Sequence, residues 1–461
     1  MTMLEKLLLP EIRELIQERE IDTLREVLNR WLPADIADLF ADLADSDVIV
    51  CFQCLEPELA AQTFEYLDWT VQEELSRVLP EESLRYILNE LAPDDRTAFI
   101  SEFDAADIER LLSLLTPDNQ RVARSLLSYG EGTVGRLMTP DFIGVREDWT
   151  MNQVLDHVRK VGRDSESLNA VYVVNDLHHL VDDIRMREIL LAAPDARVES
   201  LMDRQYVALQ VTEKESTAVE MFRKYDRTVL PVVDLKGALL GVVTVDDVLD
   251  VQEEAATREI QQFGGLEALD EPYIATPVLE LVRKRATWLI VLFVGELLTA
   301  TAMGIFEKEI EKAVVLALFV PLIISSGGNS GSQAATLIVR AIAVGEVKLR
   351  DWSVVLRREL ISGLLLGLVL GTIGFLRIAI WSQFSSFYGP HWMLIGTTVA
   401  ISLVGIVLWG TLSGSMLPFL IKRAGLDPAT SSAPFVATLV DVTGLVIYFS
   451  VALVLLKGTL L

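Results

Sequence analysis

Only two cysteines and four histidines occur among the 461 residues. Cys51 and Cys54 form one C-x-x-C within a helical pattern, and no second pair completes a zinc site. A disulfide framework is excluded, which fits a reducing compartment, and a buried helical pair is the expectation. The histidines, His157, His178, His179 and His391, contain no H-E-x-x-H, so an intramembrane zinc protease is excluded as well. The N-terminal MTMLEKLLLPEIRELIQERE lacks the basic start and apolar core of a secretory signal. Basic residues are scarce: 40 Lys and Arg stand against 66 Asp and Glu, a net charge of −26. Nucleic acid is therefore no partner, because its phosphates would be repelled.

The charge is unevenly divided. From Ala286 onward there are 9 acidic and 11 basic residues, which leaves 57 acidic and 29 basic residues before it. The acidic first part is a plausible store of hard oxygen ligands for divalent cations. The second part holds five apolar runs, near 286–305, 313–343, 354–381, 393–421 and 434–457. Each supplies the ~20 residues that a spanning helix needs. Basic residues collect before the first run (Arg283, Lys284, Arg285), after the second (Arg340, Lys348, Arg350, Arg357, Arg358) and after the fourth (Lys422, Arg423). By the positive-inside rule the N-terminal part is cytoplasmic and the C-terminus extracytoplasmic.

Two runs differ from plain anchors. The second contains Pro321-Leu-Ile-Ile-Ser-Ser-Gly-Gly-Asn-Ser-Gly-Ser-Gln333. Its Gly327, Gly328 and Gly331 either loosen the helical ladder, freeing carbonyls near Asn329 to face a wet cavity, or form a close-packing seam. The fifth carries Asp441 within Pro434-Phe-Val-Ala-Thr-Leu-Val-Asp-Val-Thr-Gly444, with Thr438 and Gly444 on roughly the same helical face. A carboxylate at membrane depth is costly and marks a pathway or a partner. Glu296, in the first run, is a second such acid whose role stays open.

Before the membrane part, residues 1–130 read as an acidic domain of short helices. Several begin near Leu-(x)-Pro, as at Pro33, Pro57, Pro80, Pro93 and Pro117, and the recurrence suggests a helical-repeat superhelix. Residues 131–250 hold two similar α/β blocks. One runs from Val134 to Leu190 through Val171-Tyr-Val-Val-Asn; the other runs from Val198 to Leu249 through Val229-Leu-Pro-Val-Val-Asp. Residues 251–282 form an acidic connecting helix, broken at Gly264-Gly265, that leads into the membrane domain at 283–461.

The paired blocks resemble a tandem of CBS domains. The specific part is Gly241-x-x-Thr244-x-x-Asp247, where that family often holds ribose and phosphate. The first block departs from it with Asp182, Arg185 and Glu188, so a nucleotide such as ATP is expected only through the second repeat, at Thr244, Asp247 and Pro231. Taken in order, the parts resemble the MgtE family of magnesium channels along essentially the whole chain. The fold class expected is thus a multi-domain membrane protein: a cytoplasmic all-α helical-repeat domain, an α/β tandem CBS pair, a connecting plug helix and a five-helix transmembrane domain.

The resemblance implies a homodimer with the second and fifth spans lining the pore; the five spans, with no eukaryotic targeting signal, suggest a bacterial inner membrane, in contact with lipid. It makes Asp441 the ion-binding carboxylate and Asn329 a pore-lining residue, joined by Thr438 and Gly328. It places Asp427 near the cytoplasmic mouth. It also implies that soluble acids bind Mg2+ and hold the pore shut; the candidates are Asp94, Asp95, Asp247, Asp250, Glu253, Glu254 and Glu259. Magnesium keeps several waters, so paired Asp441 carboxylates could hold it through its hydration shell. The membrane potential favours entry of a divalent ion by ~4.6 kcal/mol per 100 mV, so no hydrolysis is required and the chain is no enzyme. Another divalent ion, such as cobalt or manganese, or a non-transporting membrane sensor are the alternatives.

Overall fold

The computed structural model describes residues 3–163, 165–269, 273, 276–312, 314–385 and 388–459. They form two compact units, 1–253 and 254–461.

The first unit opens with ten short helices between Met3 and Leu127. Pro33, Pro57, Pro93 and Pro117 each sit in the first turn of a helix, where a missing N–H costs nothing. An asparagine clamp recurs sixty residues apart. Asn29 Nδ2 donates to the carbonyls of Arg25 and Cys54 while its Oδ1 accepts from Glu56 N–H. Asn89 does the same with Arg85, Leu114 and Thr116. This is a structural repeat whose helices cannot bury their apolar faces alone. A row of rings, Phe40, Phe52, Phe64 and Phe99, runs through the shared core at centroid spacings of 6.4, 6.4 and 5.1 Å. Cys51 and Cys54 are buried free thiols in that core; burial pushes Cys51 up to about 12, which makes it an inert core residue.

Two three-stranded sheets follow. In the first, β1 (Gly144–Val145) pairs parallel with β2 (Ala170–Val174), which pairs antiparallel with β3 (Leu180–Arg185). In the second, β4 (Leu209–Gln210), β5 (Val229–Val233) and β6 (Leu239–Thr244) repeat this order and even the register shift. The two repeats join at their hairpin turns, where Leu180 N–H donates to Gly237 and Leu239 N–H donates to His178.

The helix expected to begin at 251 starts earlier. Thr244 leads directly into a helix over Val245–Phe263, so the connecting element grows out of the last strand of the second repeat. It ends where Leu266 N–H donates to Gln261 and Gly265 N–H to Gln262, with Gly265 at φ +75°. Asp270 and Glu271, also assigned to this helix, lie outside the described residues.

Among its described residues the second unit has five helices long and apolar enough to cross a membrane, as expected: Val278–Ile305, Val314–Ala343, Leu349–Phe384, Trp392–Arg423 and Ala433–Leu456. In the second span the regular helix Val320–Ala343 is unbroken through its glycines, which corrects the expectation of a loosened ladder with freed carbonyls. The glycines serve close packing. A Cβ on Gly410 would collide with the Gly327 carbonyl, and one on Gly414 with the Gly331 carbonyl, so spans two and four touch backbone to backbone.

Candidate functional site in the membrane unit and an acidic seam

The glycine crossing sets the geometry of the membrane site. With Gly327 and Gly331 turned into span four, the next residue, Gly328, meets span five: a Cβ there would lie 3.5 Å from both Ala437 Cβ and Asp441 Oδ1. Asn329 then projects outward, its Nδ2 donating to Ser325 Oγ at 3.3 Å. Ser325, Asn329, Gln333 and Thr336 form an exposed polar stripe along span two. Hydrocarbon cannot satisfy such groups, so the stripe needs water or a protein partner.

Span one packs on span five, with Gly295 against Thr438. Between these spans lies an open cleft of about 660 Å³ whose polar lining is Glu296, Thr438 and Asp441. Thr438 bonds back to the Pro434 carbonyl, which leaves the two carboxylates as the charged groups of the cleft. Among the described residues neither has a salt-bridge partner. Glu296, left open by the sequence, thus faces the same space as Asp441.

Asp427 caps the short turn before span five, its Oδ1 accepting from Ala429 N–H. It lies close enough to Glu259 on the connecting helix that, after burial, its negative charge is what pushes the Glu259 carboxyl above its usual range. Glu253 and Glu254 are exposed further up that helix.

In the first unit a second collection of acids occupies the seam between the helical domain and the CBS pair. Asp94 and Asp95 come from the first turn of the helix Pro93–Ser101, and Asp246 and Asp247 from the first turn of Val245–Phe263. Glu65, Asp141 and Glu166 join them, none of which the sequence pattern singled out. Burial and then the Asp247 charge raise Asp94 well above the carboxylate range. Asp95, still open to solvent, is pushed up to about 7 by desolvation, Glu65 and Asp247. Asp247 is pushed up to about 6 by burial, against the opposing bond from Thr244. Burial also raises Asp250, Glu65 and Glu166.

One Asp94 oxygen is buried with no partner. That is the condition of a seam short of positive charge, and it suits a hydrated cation. Among the described residues no three such side chains converge into a ready cage. Magnesium, which needs only one or two carboxylates besides its waters, does not require one. Arg96 is the cation that sequence reading missed here. It is buried, its Nη2 bonded to the Leu91 carbonyl, and it lies near Asp141 and Asp94.

The nucleotide expectation fares differently. Gly241 is required because a Cβ would meet the Thr139 carbonyl at 2.5 Å. Thr244 Oγ1 donates to Asp247 Oδ2 at 2.5 Å, and Pro231 is buried in β5 opposite Val242. The fold itself accounts for all three motif positions and for Pro231.

A helical N-terminal domain, a CBS pair and a bundle of five apolar helices define the class of multi-pass membrane transporters. Family models agree: "MgtE intracellular N domain" matches 31–132, "CBS domain" matches 134–195 and 198–254, and "Divalent cation transporter" matches 320–451. The magnesium transporter MgtE of Thermus thermophilus is 38% identical over 99% of this chain and 100% of its own length. The MgtE transporter of Bacillus subtilis is 24% identical over 95% of each chain. A solved cytosolic domain of the Mg2+ channel MgtE in complex with ATP is 34% identical, with a TM-score of 0.51 over 53% of this chain and 99% of that one. The chain belongs to the MgtE family of magnesium transporters.

Proposed function

We propose that the chain conducts Mg2+ into the cytoplasm down its electrochemical gradient, with Asp441 as the ion-binding carboxylate, and that cytoplasmic Mg2+ closes it. The observation that carries this reading is the cleft between spans one and five, where two unpaired carboxylates meet at membrane depth. Charge there attracts cations and excludes anions. Gly328 admits span five beside Asp441, and Asn329 and Thr438 offer side-chain oxygens to a hydrated ion. The bare polar stripe on span two supports a homodimer in which a second copy completes a wet path. The basic loops support an inner-membrane protein with a cytoplasmic N-terminus.

Closure follows from charge. Asp94, Asp95, Asp247 and Asp250 crowd one seam, and Glu259 and Asp427 crowd another. Glu253 and Glu254 supply further negative field along the helix between them. Without a cation such groups repel; a bound cation removes that cost and favours the compact arrangement. ATP at the CBS pair is supported by the ATP-bound relative. It is opposed at the second repeat, where a triphosphate would meet the seam carboxylates around Asp247.

Flux of Mg2+ into proteoliposomes at fixed potential tests the core of the reading, comparing the intact chain with Asp441→Asn and Asp441→Ala. Loss of flux in folded variants supports Asp441 as the ion site. Flux that survives both substitutions removes it. No flux from the intact chain, even with the cytoplasmic face free of Mg2+, favours a sensor.

A further inference from the structure

A magnesium-closed pore needs a part that carries the position of the connecting helix to the pore-lining span. We infer that Trp288 is that part: a positioning residue that ties the end of the connecting helix to the start of span five. The inference rests on the proposed closure by cytoplasmic Mg2+.

Three observations converge on it. First, the helix Val245–Phe263 ends at Gly265, whose backbone faces the Trp288 indole so closely that a Cβ there would lie 2.5 Å from Trp288 Cδ1. Gly265 is also at φ +75°, so its conformation and the ring contact both call for glycine. Second, the same indole donates from Nε1 to Ser432 Oγ at 3.0 Å, and its ring lies against Phe435 with centroids 6.3 Å apart. Third, Ser432 is fully buried and its Oγ caps span five by accepting from Phe435 N–H.

A single side chain from span one therefore touches the last turn of the connecting helix on one side and the cap of the Asp441 helix on the other. Glu267 N–H bonded to the Lys284 carbonyl, and Lys284 Nζ bonded to the Ala268 carbonyl, hold the chain leaving that turn along span one. A shift of the connecting helix then moves the indole, and the indole moves the cap of the helix that carries Asp441.

The test uses the full chain in proteoliposomes, with Mg2+ flux read at low and at high cytoplasmic-face Mg2+. Trp288→Phe keeps a ring and loses the N–H; Ser432→Ala loses the acceptor, and Ser432→Thr restores it. The expectation is near-normal flux at low cytoplasmic Mg2+ for Trp288→Phe and Ser432→Ala, with closure at high Mg2+ weakened at least about fivefold. Ser432→Thr should close normally. Equal loss of flux under both conditions, or closure unchanged in both variants, overturns the inference in favour of a structural contact. An intact chain whose flux ignores cytoplasmic Mg2+ overturns the closure reading itself, and this inference with it.

Discussion

Carboxylates appear in this molecule in two contrasting settings. In the membrane unit Asp441 and Glu296 share an open cleft with apolar walls, and little else there is charged. In the first unit Asp94, Asp95, Glu65, Glu166, Asp246 and Asp247 crowd one seam, where burial and then neighbouring negative charge raise Asp94, Asp95 and Glu166. The difference suits two tasks. A sparse site in low dielectric attracts a cation without trapping it, as conduction demands. A crowded seam responds to cation concentration, because each ion bound relieves several repulsions together.

Neutralising one carboxylate of the cleft and two of the seam gives the most direct contrast. Asp441→Asn should lower Mg2+ flux by roughly a hundredfold or more, since the cleft then keeps only Glu296 to offset dehydration. Flux would be measured with the cytoplasmic face chelated, so that closure plays no part. Asp94→Asn combined with Asp247→Asn should leave that maximal flux intact. It should raise the cytoplasmic Mg2+ required for half closure by about tenfold, or ~1.4 kcal/mol of coupling. If the seam variant instead lost flux and kept its closing midpoint, the division of labour would be wrong.

Acidity sharpens the comparison further. In the seam, Asp247 at about 6 and Asp95 at about 7 are raised above their value of 3.8 in the unfolded chain. A raised carboxyl favours the folded form while protonated, and that stability is lost as the pH climbs from about 4 through 7. The magnesium-free chain should therefore melt several degrees lower at pH 8 than at pH 5. Added Mg2+ should recover more at pH 8, where protons no longer compete for the same oxygens; melting followed by intrinsic fluorescence checks both. The smallest effect is expected from Glu296→Gln, a roughly two- to fivefold loss of flux, as for a charge beside the main site rather than at it. A loss matching that of Asp441→Asn would make the two acids equal partners.

Much of this was legible in advance, for identifiable reasons. The five spans follow from apolar length, and the CBS pair from a block of short apolar strands and amphipathic helices that occurs twice. Asp441 stands out because a lone acid in an apolar run is rare. The glycine motif was legible as important but ambiguous in meaning. Whether Gly327 bends a helix or admits a neighbour depends on span four, about eighty residues further along the chain. The seam partners Glu65, Asp141 and Glu166 carry no local signal, because only the docking of three chain segments brings them together. Arg96 was hidden for the same reason, one more charge in a charged stretch. Asp247 suggested a nucleotide by its motif, whereas the carboxylates that surround it are brought there by the helical domain and carry no local signal.

The glycine contacts have a mechanical consequence. Spans two and four meet backbone to backbone at Gly327, Gly331, Gly410 and Gly414, and span three lies as close to span four at Gly363, Gly367 and Gly371. Such a wall is close-packed with little side chain between its backbones, so it behaves as a stiff frame. Span one, with few buried residues and its packing directed at span five, is the compliant member. A stiff frame with one loose stave can be opened and shut from its end but not squeezed at its waist.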